Sequence, residues 1–223
     1  MSLENELGAT PGSSDLDLSL HPSGIVPKLQ NVVATAFLGI RLNLRTIASR
    51  IANVAYNPRR FPAAVLRSKE PKATVLIFES GKIVCTGARD EDIARAASRK
   101  AAKSIQKIGD ALGGKISFQR FKIENIVASC DAKFKIQLDR LARNQAQFCR
   151  YEPEVFPGVV YRLLEADITF MVFASGKIVI TGAKTRDSMY KGFEDIYPIL
   201  LQFAKVQSDG EGKEKEKRGS RTG

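Results

Sequence analysis

The chain contains one unit of about 95 residues twice. Residues 56–62 return as residues 151–157, and the block from Phe78 to Ala88 returns between Phe173 and Ala183. Every matching pair is 95 positions apart, whereas the upstream match of residues 31–34 with residues 125–128 has a spacing of 94. A run of matches at one fixed spacing marks a structural repeat. The repeat therefore predicts two halves with the same fold.

Each unit shows the same order of secondary structure. A strand near 27–36 precedes a short helix from about Asn43, where Leu44, Ile47, Ile51 and Val54 recur at helical spacing. Strands follow at 61–67, 73–79 and 82–88. A longer helix is predicted from its N-cap Asp90 to residue 108, ending at Gly109.

We divide the chain into an acidic Ser/Gly-rich tail (1–22), a first repeat (23–112), a connector (113–120), a second repeat (121–205) and a charged tail (206–223), with both tails expected to be disordered.

The last helix of the second unit carries an apolar stripe at helical spacing. The stripe consists of Met189, Phe193, Ile196, Leu200 and Phe203. We expect it to form core rather than a site.

The net charge of +11 is concentrated in the middle of the chain. Residues 1–22 carry four acidic and no basic groups, and residues 206–223 carry five basic and four acidic groups. Residues 23–205 therefore carry +14, with 16 basic and 6 acidic groups up to residue 110 and 14 and 10 after it. A compact domain this basic repels itself unless a polyanion is its usual neighbour, so phosphate is the expected partner. The alternative is a merely basic soluble protein.

Composition argues against several other function classes. Cys85, Cys130 and Cys149 lie far apart beside a single His21, so neither a four-ligand zinc site nor a disulfide framework is expected. The chain lacks an apolar run of about 18 residues, and residues 1–20 do not resemble a secretory signal. We expect an intracellular protein without membrane span, metal or other cofactor.

Both faces of the predicted sheet are apolar. Leu76 and Phe78 share one face, while Val75 and Ile77 share the other. Two helices per unit cover only one face, so the second face stays open, with sparse polar groups at Asn31, Asn125, Thr86 and Thr181. An uncovered apolar sheet of this size marks a binding surface. The alternative is a sandwich in which the two units bury both faces against each other.

The minor groove of A·T-rich DNA fits an apolar sheet bordered by Lys and Arg. Its floor offers only acceptors, adenine N3 and thymine O2, until a G·C pair adds an amine. Asn amides and Thr hydroxyls donate to those acceptors, and Val, Leu and Met fill the remaining space. A guanine amine buried there without a partner costs ~1–3 kcal/mol.

Four phenylalanines lie beside turns or strand ends at repeat-related positions. They are Phe61, Phe78, Phe156 and Phe173. A following proline holds Phe61 and Phe156 in extended geometry. Rings at the ends of the sheet would wedge between base steps and kink a duplex. The basic neighbours that favour wedges over ordinary core aromatics are Arg60, Arg67, Lys82, Arg162 and Lys177.

From residue 23 to residue 205 the sequence resembles the TATA-box-binding protein family. The resemblance rests on Ser-Gly-Ile-Val-Pro at 23–27, on Leu-Gln-Asn at 29–31, and on two motifs that each occur twice, Tyr-x-Pro-x-x-Phe-Pro and Phe-x-Ser-Gly-Lys-x-Val-x-Thr-Gly-Ala. It implies an α+β saddle with pseudo-two-fold symmetry, a curved ten-stranded antiparallel sheet and four helices on the convex face. The family is itself the best-known case of phenylalanine wedging, so the resemblance implies minor-groove binding and bending at TATA-like promoter elements.

The resemblance also implies a role for each matching residue. Phe61 with Phe78 and Phe156 with Phe173 are the implied intercalating pairs. The implied base contacts are the donors Asn31, Asn125, Thr86 and Thr181 and the groove-lining Val33, Val127, Leu76, Met171, Val84 and Val179. The implied phosphate contacts are Arg60, Arg67, Ser80, Lys82, Arg162, Ser175 and Lys177.

Protein partners are implied at two further surfaces. Transcription factor IIB is expected at Glu152, Glu154 and Val155, and transcription factor IIA with other regulators at the helical stripe Arg95, Arg99, Lys103 and Lys107. A solvated helix face is the competing interpretation of the stripe. TBP-associated factors, the RNA polymerase pre-initiation complex and a nuclear location follow from the same resemblance, and self-association of the free protein through its apolar face stays open.

Four features depart from the family pattern. Glu79 stands beside Phe78, where a small or apolar residue is usual, and brings a carboxylate near phosphate. Gln137 stands where a basic residue is common, so one phosphate contact is expected to be missing. Val155 replaces a leucine, and the connector around residues 113–114 is longer than usual.

Three other functions compete with DNA bending. Catalysis needs a placed base, nucleophile or metal, and with His21 in the acidic tail we expect no enzyme. A related factor that acts mainly as a protein-interaction platform is the second alternative, although such relatives typically lose wedge phenylalanines and all four are present here. An RNA-binding sheet is the third, but stacking platforms place exposed aromatics in mid-strand.

Overall fold

Antiparallel pairing joins ten strands into one curved sheet within residues 23–205, the part of the chain that the computed structural model describes. The predicted tails, with His21, lie outside the described residues. The strands are β1 (Lys28–Phe37), β2 (Val54–Ala55), β3 (Ala63–Ser68), β4 (Ala73–Phe78), β5 (Lys82–Ala88), β6 (Gln119–Asp131), β7 (Cys149–Arg150), β8 (Gly158–Leu163), β9 (Ile168–Phe173) and β10 (Lys177–Thr181). Their order is β2-β3-β4-β5-β1-β6-β10-β9-β8-β7, so one half repeats the other in reverse about the β1–β6 pair. The predicted pseudo-two-fold α+β sheet is confirmed.

Four helices accompany the strands: α1 (Leu44–Arg50), α2 (Glu91–Gln106), α3 (Leu138–Asn144) and α4 (Arg186–Leu201). Side-chain caps fix three of their N-termini. Asn43 Oδ1 accepts bonds from the amides of Arg45 and Thr46 at 3.1 Å each, and Asp90 caps α2 as predicted. Thr185 forms a capping box with Ser188 at the start of α4.

Only one face of the sheet is covered by helices. Val75 and Ile77 of β4 and Phe170 and Val172 of β9 are fully buried, while the residues between them are half-buried. On α2 the buried positions are mostly alanine, which lets this helix lie close to β1, β4 and β5. The sandwich alternative is therefore wrong, because the two units lie side by side in one sheet and leave the second face open.

Tertiary pairing overrides the helical pattern at the end of α1. The spacing of Leu44, Ile47, Ile51 and Val54 predicted a single helix, but the helix ends at Arg50 and Ile51 is an extended C-cap. Val54 belongs to β2 and pairs with Leu66. Two-residue strands such as β2 and β7 are too short to show alternation, so the sequence pattern missed both.

The region between the repeats differs in detail from the prediction. Helix α2 ends at Gln106, and Gly109 opens a short 3-10 helix (Gly109–Leu112) instead of ending α2. The left-handed residue is Gly113, with φ of 72°. Strand β6 begins at Gln119, inside the segment 113–120 that we assigned to the connector.

An ion-pair cluster lies on the pseudo-two-fold axis. Arg186, the first residue of α4, bonds to Glu91, the first residue of α2, at 2.9 Å (Nε to Oε1) and 2.6 Å (Nη2 to Oε2), and also to Asp90. Glu91 and Arg186 are 95 positions apart and so occupy the same site in the two repeats. An exact two-fold would place like charges here, and divergence of the repeats has made the contact attractive.

A charge swap tests the ion-pair cluster between the two repeats. Glu91→Arg and Arg186→Glu should each lower the free energy of unfolding by about 1 kcal/mol, because each places like charges on the axis. The double variant restores opposite charges and should recover most of the loss. Urea titrations of the unchanged protein and the three variants measure the interaction energy between the two side chains. If the losses of unfolding free energy in the single variants simply add in the double variant, the two side chains do not interact.

Candidate nucleic-acid interface

Two rows of apolar side chains cross the open face in register. Val65, Leu76 and Val84 stand opposite one another on β3, β4 and β5. Val160, Met171 and Val179 form the same row on β8, β9 and β10. Val33 and Val127 continue the apolar surface on the central strands β1 and β6. All eight side chains are half-buried, so together they form one accessible apolar strip.

Two of these residues were missing from the predicted base-contact set. Val65 and Val160 precede Arg67 and Arg162 by two positions, so each pair shares a face of its strand. Counting alternate strand positions back from the two arginines would have identified these two valines from the sequence.

Hydrogen bonds fix the orientation of the two central asparagine amides. Asn31 Oδ1 accepts from the amide of Gly87 and Asn125 Oδ1 accepts from the amide of Gly182, both at 2.7 Å. A backbone N–H only donates, so each Nδ2 must point the other way. Asn125 Nδ2 lies 3.0 Å from Thr181 Oγ1. The structure thus groups Asn31 with Thr86 and Asn125 with Thr181 as donors at the centre of the face.

The glycine at position 182 is a geometric requirement of this arrangement. Its φ of 102° is left-handed, and a Cβ atom there would lie 2.3 Å from the carbonyl oxygen of Asp167. Any larger residue would displace the amide that holds Asn125.

A pair of phenylalanines bounds each half of the face. The rings of Phe61 and Phe78 lie 6.4 Å apart, and those of Phe156 and Phe173 lie 5.6 Å apart, both with edge-to-face geometry. Phe61 is 42% exposed although it is a large apolar residue. The structure therefore brings together the phenylalanines of both pairs that were predicted from the sequence. Their rings are accessible beside the apolar strip.

The predicted basic residues border the strip. Arg60, Arg67 and Lys82 in the first repeat, and Arg162 and Lys177 in the second, are all exposed. Among residues 23–205 none of these five pairs with a carboxylate. Ser80 and Ser175 lie in the hairpin turns, where each Oγ accepts from the amide two residues ahead at 3.4 Å. The borders of the face thus carry positive charge free to meet an anion.

The two expected protein-binding surfaces are both accessible. In the loop before β8, Glu152 pairs with Arg150 at 3.0 Å, Glu154 is exposed and Val155 is 79% exposed. On α2 the stripe of Arg95, Arg99, Lys103 and Lys107 is exposed along its length.

Half of the stripe on α2 is held in place by aromatic rings that the sequence pattern did not reveal. The Arg95 guanidinium lies 4.3 Å from the ring centroid of Phe121, and that of Arg99 lies 5.9 Å from Phe118. The solvated interpretation therefore fits Lys103 and Lys107 better than the two arginines.

Two of the departures have clear structural partners. Glu79 forms an ion pair with Arg41 at 2.7 Å. Gln137 lies at the start of α3, where its Nε2 donates to the carbonyl of Ala204 at 3.2 Å.

The cysteines have no activated thiol. All three are free, and burial raises the pKa of Cys130 to about 12 and that of Cys149 to about 11. These thiols stay protonated at neutral pH and are poor nucleophiles. Within residues 23–205 no group of three His, Cys, Asp or Glu side chains is placed to hold a metal ion, and none of the helices there has the length and apolar character to cross a membrane.

Comparison with known proteins identifies close relatives. The family "Transcription factor TFIID (or TATA-binding protein, TBP)" matches residues 26–108 and 120–203. TATA-box-binding protein 1 of Arabidopsis thaliana is 55% identical over 196 residues, covering 88% of this chain and 96% of the relative. The TATA-box-binding protein of Acetabularia peniculus is 54% identical over 193 residues, covering 86% and 99%. Among solved structures, Methanococcus jannaschii TBP has a TM-score of 0.67 at 35% identity, covering 79% of this chain and 98% of that one.

Gly158 explains why the second phenylalanine pair is closer than the first. A Cβ atom at Gly158 would lie 2.9 Å from a ring carbon of Phe156 and 3.2 Å from one of Phe173, and the equivalent residue of the first repeat is Ala63. We expect Gly158→Ala to widen the second pair toward the spacing of the first, and Ala63→Gly to let the first pair close. Crystal structures of the two variants measure the ring distances, and an unchanged second pair would contradict this steric account.

Proposed function

Since the chain belongs to the TATA-binding protein family, we propose that it is a general transcription initiation factor that binds and bends TATA-like DNA through the minor groove. The family name describes a non-enzymatic transcription factor, in agreement with the expectation that the chain is not an enzyme. Bending of the duplex and nucleation of the pre-initiation complex are the specific parts of this proposal.

The observation that carries the proposal is the pattern of donors within the apolar strip. The oriented amides of Asn31 and Asn125, with the hydroxyls of Thr86 and Thr181, are the polar groups near the middle of the face. An A·T floor presents only acceptors, which these donors match. The valine, leucine and methionine side chains around them leave a guanine amine without an acceptor. A·T preference follows from this arrangement.

Bending follows from the accessible rings at the two ends of the strip. Insertion of apolar side chains between base steps unstacks the bases and kinks the duplex toward the major groove. Flexible pyrimidine–purine steps such as TA have the lowest deformation energy, so a TATA-like sequence suits two such kinks. The exposed basic residues would hold the phosphates on either side.

Removal of one ring pair tests the wedge assignment. Phe156→Ala combined with Phe173→Ala should reduce the bend angle of a TATA-like duplex and weaken binding by ~10-fold or more, since the second kink loses its wedge. Donor and acceptor dyes at the duplex ends report the bend by energy transfer, and a G·C-substituted duplex gives the sequence preference. Phe61→Ala with Phe78→Ala is the matched pair at the other end. Unchanged bend and affinity in both variants would refute the assignment.

The loop at residues 151–157 is the proposed docking site for transcription factor IIB. Its carboxylates Glu152 and Glu154 and the exposed Val155 offer negative charge beside an apolar contact on a protein that is otherwise basic. The equivalent loop of the first repeat carries Asn57, Arg59 and Arg60 instead. This difference gives the two ends of the saddle distinct partners. The convex stripe on α2 is the proposed site for factor IIA and regulators.

Reversal of one charge separates DNA binding from factor recruitment. Glu152→Arg should abolish the shift caused by factor IIB on a protein–DNA complex while leaving the DNA affinity within about twofold, because the loop charge lies outside the apolar strip. Asn57→Arg, at the equivalent position of the first repeat, serves as control and should leave recruitment intact. Equal loss of DNA and factor binding in Glu152→Arg would rule out a role confined to the partner.

Further proposals concern the cellular setting. A factor of this kind acts in the nucleus, with TBP-associated factors and the RNA polymerase pre-initiation complex as partners. The free protein exposes an apolar strip that DNA covers in the complex, and burial of that strip favours self-association in the absence of DNA.

A further inference from the structure

Two hydrogen-bonded pairs lie at equivalent places on the central strands of the open face. Thr35 Oγ1 donates to Glu124 Oε1 at 2.8 Å, and Gln30 Nε2 donates to Ser129 Oγ at 2.9 Å. Gln30 and Glu124 are 94 positions apart, as are Thr35 and Ser129, so the two pairs are related by the internal repeat. One copy carries a neutral amide and the other carries a carboxylate.

A β-bulge brings Glu124 to the open face. Simple alternation would place Glu124 on the opposite face from its neighbour Asn125. The β1–β6 register shifts between Val33 and Ala34, opposite Asn125 and Ile123, so Glu124 is the extra residue. Its bond to Thr35, which alternates with the buried Ala34 and Ala36, places the carboxylate on the DNA side.

The strand register places Glu124 between the middle of the open face and Lys82, a proposed phosphate contact. Val33 of β1 pairs with Asn125 at the middle of the face, and Phe37 pairs with Lys82 at the border. Thr35 lies midway, opposite Lys122 on one side and Val84 on the other. A carboxylate bonded to Thr35 therefore lies between the middle of the open face and its border.

Two of the three basic groups of this border are paired with carboxylates. We call the border the first rim, and it consists of Arg41, Glu79, Lys82, Lys122 and Glu124. Arg41 pairs with Glu79 at 2.7 Å, and Lys122 Nζ lies 3.5 Å from Glu124 Oε2. The hydrogen bond from Thr35, with the positive charges of Lys122 and Lys82, lowers the pKa of Glu124. Glu124 is therefore ionised at neutral pH.

The equivalent border of the second repeat lacks both carboxylates. This second rim consists of Lys28, Gln30, Lys135, Ala174 and Lys177, which correspond by the repeat spacing to Lys122, Glu124, Arg41, Glu79 and Lys82. Asp131 also lines this rim, and it accepts a bond from the amide of Lys133. Within residues 23–205, neither Lys28 nor Lys135 forms an ion pair with a carboxylate.

We propose that Glu79 and Glu124 act as internal substitutes for DNA phosphates: they pair with Arg41 and Lys122 of the first rim and so limit the affinity of the protein for the duplex backbone. The inference rests on the proposed DNA binding and adds to it a pair of residues that tune its strength. The first rim then holds its DNA strand less firmly than the second rim holds the other strand.

The expected effect is electrostatic and depends on salt. A cation that stays paired with a carboxylate neutralises no phosphate, so it releases no counterion from the duplex on binding. Each additional phosphate contact adds about −0.9 to the slope of log K against log salt. Freeing Arg41 and Lys122 therefore adds roughly two such contacts.

The test removes both carboxylates from the first rim. Glu79→Ala with Glu124→Gln should bind a TATA-like duplex ~10-fold more tightly at ~50 mM salt, with a slope more negative by roughly 1.8 and a gain that shrinks as salt rises. The mirror variant, Ala174→Glu with Gln30→Glu, should bind more weakly with a shallower slope. Glu194→Gln with Asp195→Asn changes the net charge equally on the exposed side of α4 and controls for total charge.

The outcomes are distinguishable. If the first variant follows the α4 control or the unchanged protein in affinity and slope, the proposal is overturned. If that variant does not fold by thermal unfolding, the mirror variant decides, and its unchanged affinity and slope overturn the proposal as well. Failure of the unchanged protein to prefer the TATA-like duplex over a G·C-substituted one would instead refute the proposed function itself.

Discussion

Antiparallel pairing of β1 with β6 joins the two repeats, and the rest of the molecule depends on that pairing. Without it each unit would be a five-stranded sheet with an exposed edge, which invites pairing with other chains. With it, the apolar rows of the two repeats, Val65–Leu76–Val84 and Val160–Met171–Val179, extend across one face. The same pairing sets Asn31 beside Val127 and Val33 beside Asn125, so the polar donors of the two halves meet in the middle. The ion pair of Glu91 with Arg186 links helices α2 and α4 of the two repeats at the same axis.

The uncovered face explains why an apolar surface of this kind can discriminate between DNA sequences. Its donors are not free side chains, because the amides of Gly87 and Gly182 hold the two asparagine oxygens and aim their nitrogens. Orientation in advance lowers the entropy cost of making a hydrogen bond on binding. The proposed discrimination is negative as well as positive, since apolar neighbours would leave a guanine amine without a partner. The buried alanines of α2 and the left-handed glycines at the turns belong to the scaffold that holds these side chains in place.

Several differences between the repeats change the charge at particular places on the surface. The phenylalanines, asparagines and threonines of the open face occupy equivalent positions in both halves, so the proposed groove contact is symmetric. Charge changes instead lie at the loops, where Arg59 and Arg60 stand against Glu154 and Val155, and at the borders, where Glu79 and Glu124 stand against Ala174 and Gln30. A symmetric floor suits a groove that cannot distinguish A·T from T·A. In our proposals, the asymmetric surroundings give the two ends different partners and the two rims different affinities for the DNA backbone.

The sequence by itself determined the duplication, the alternation of faces in β4, β5, β9 and β10, and the cap at Asp90, because these depend on local periodicity and local hydrogen bonds. It also identified the four phenylalanines and the central Asn and Thr residues, since each recurs at the repeat spacing. Only the tertiary structure decided that the units pair edge to edge rather than face to face, because strand pairing across the axis links residues that are between 82 and 101 positions apart. It also decided that Ile51 and Val54 leave the helix for β2, where pairing with β3 outweighs their helical spacing. The position of Glu124 belongs to the same class, because a bulge between two distant strands reverses the face that alternation assigns to it.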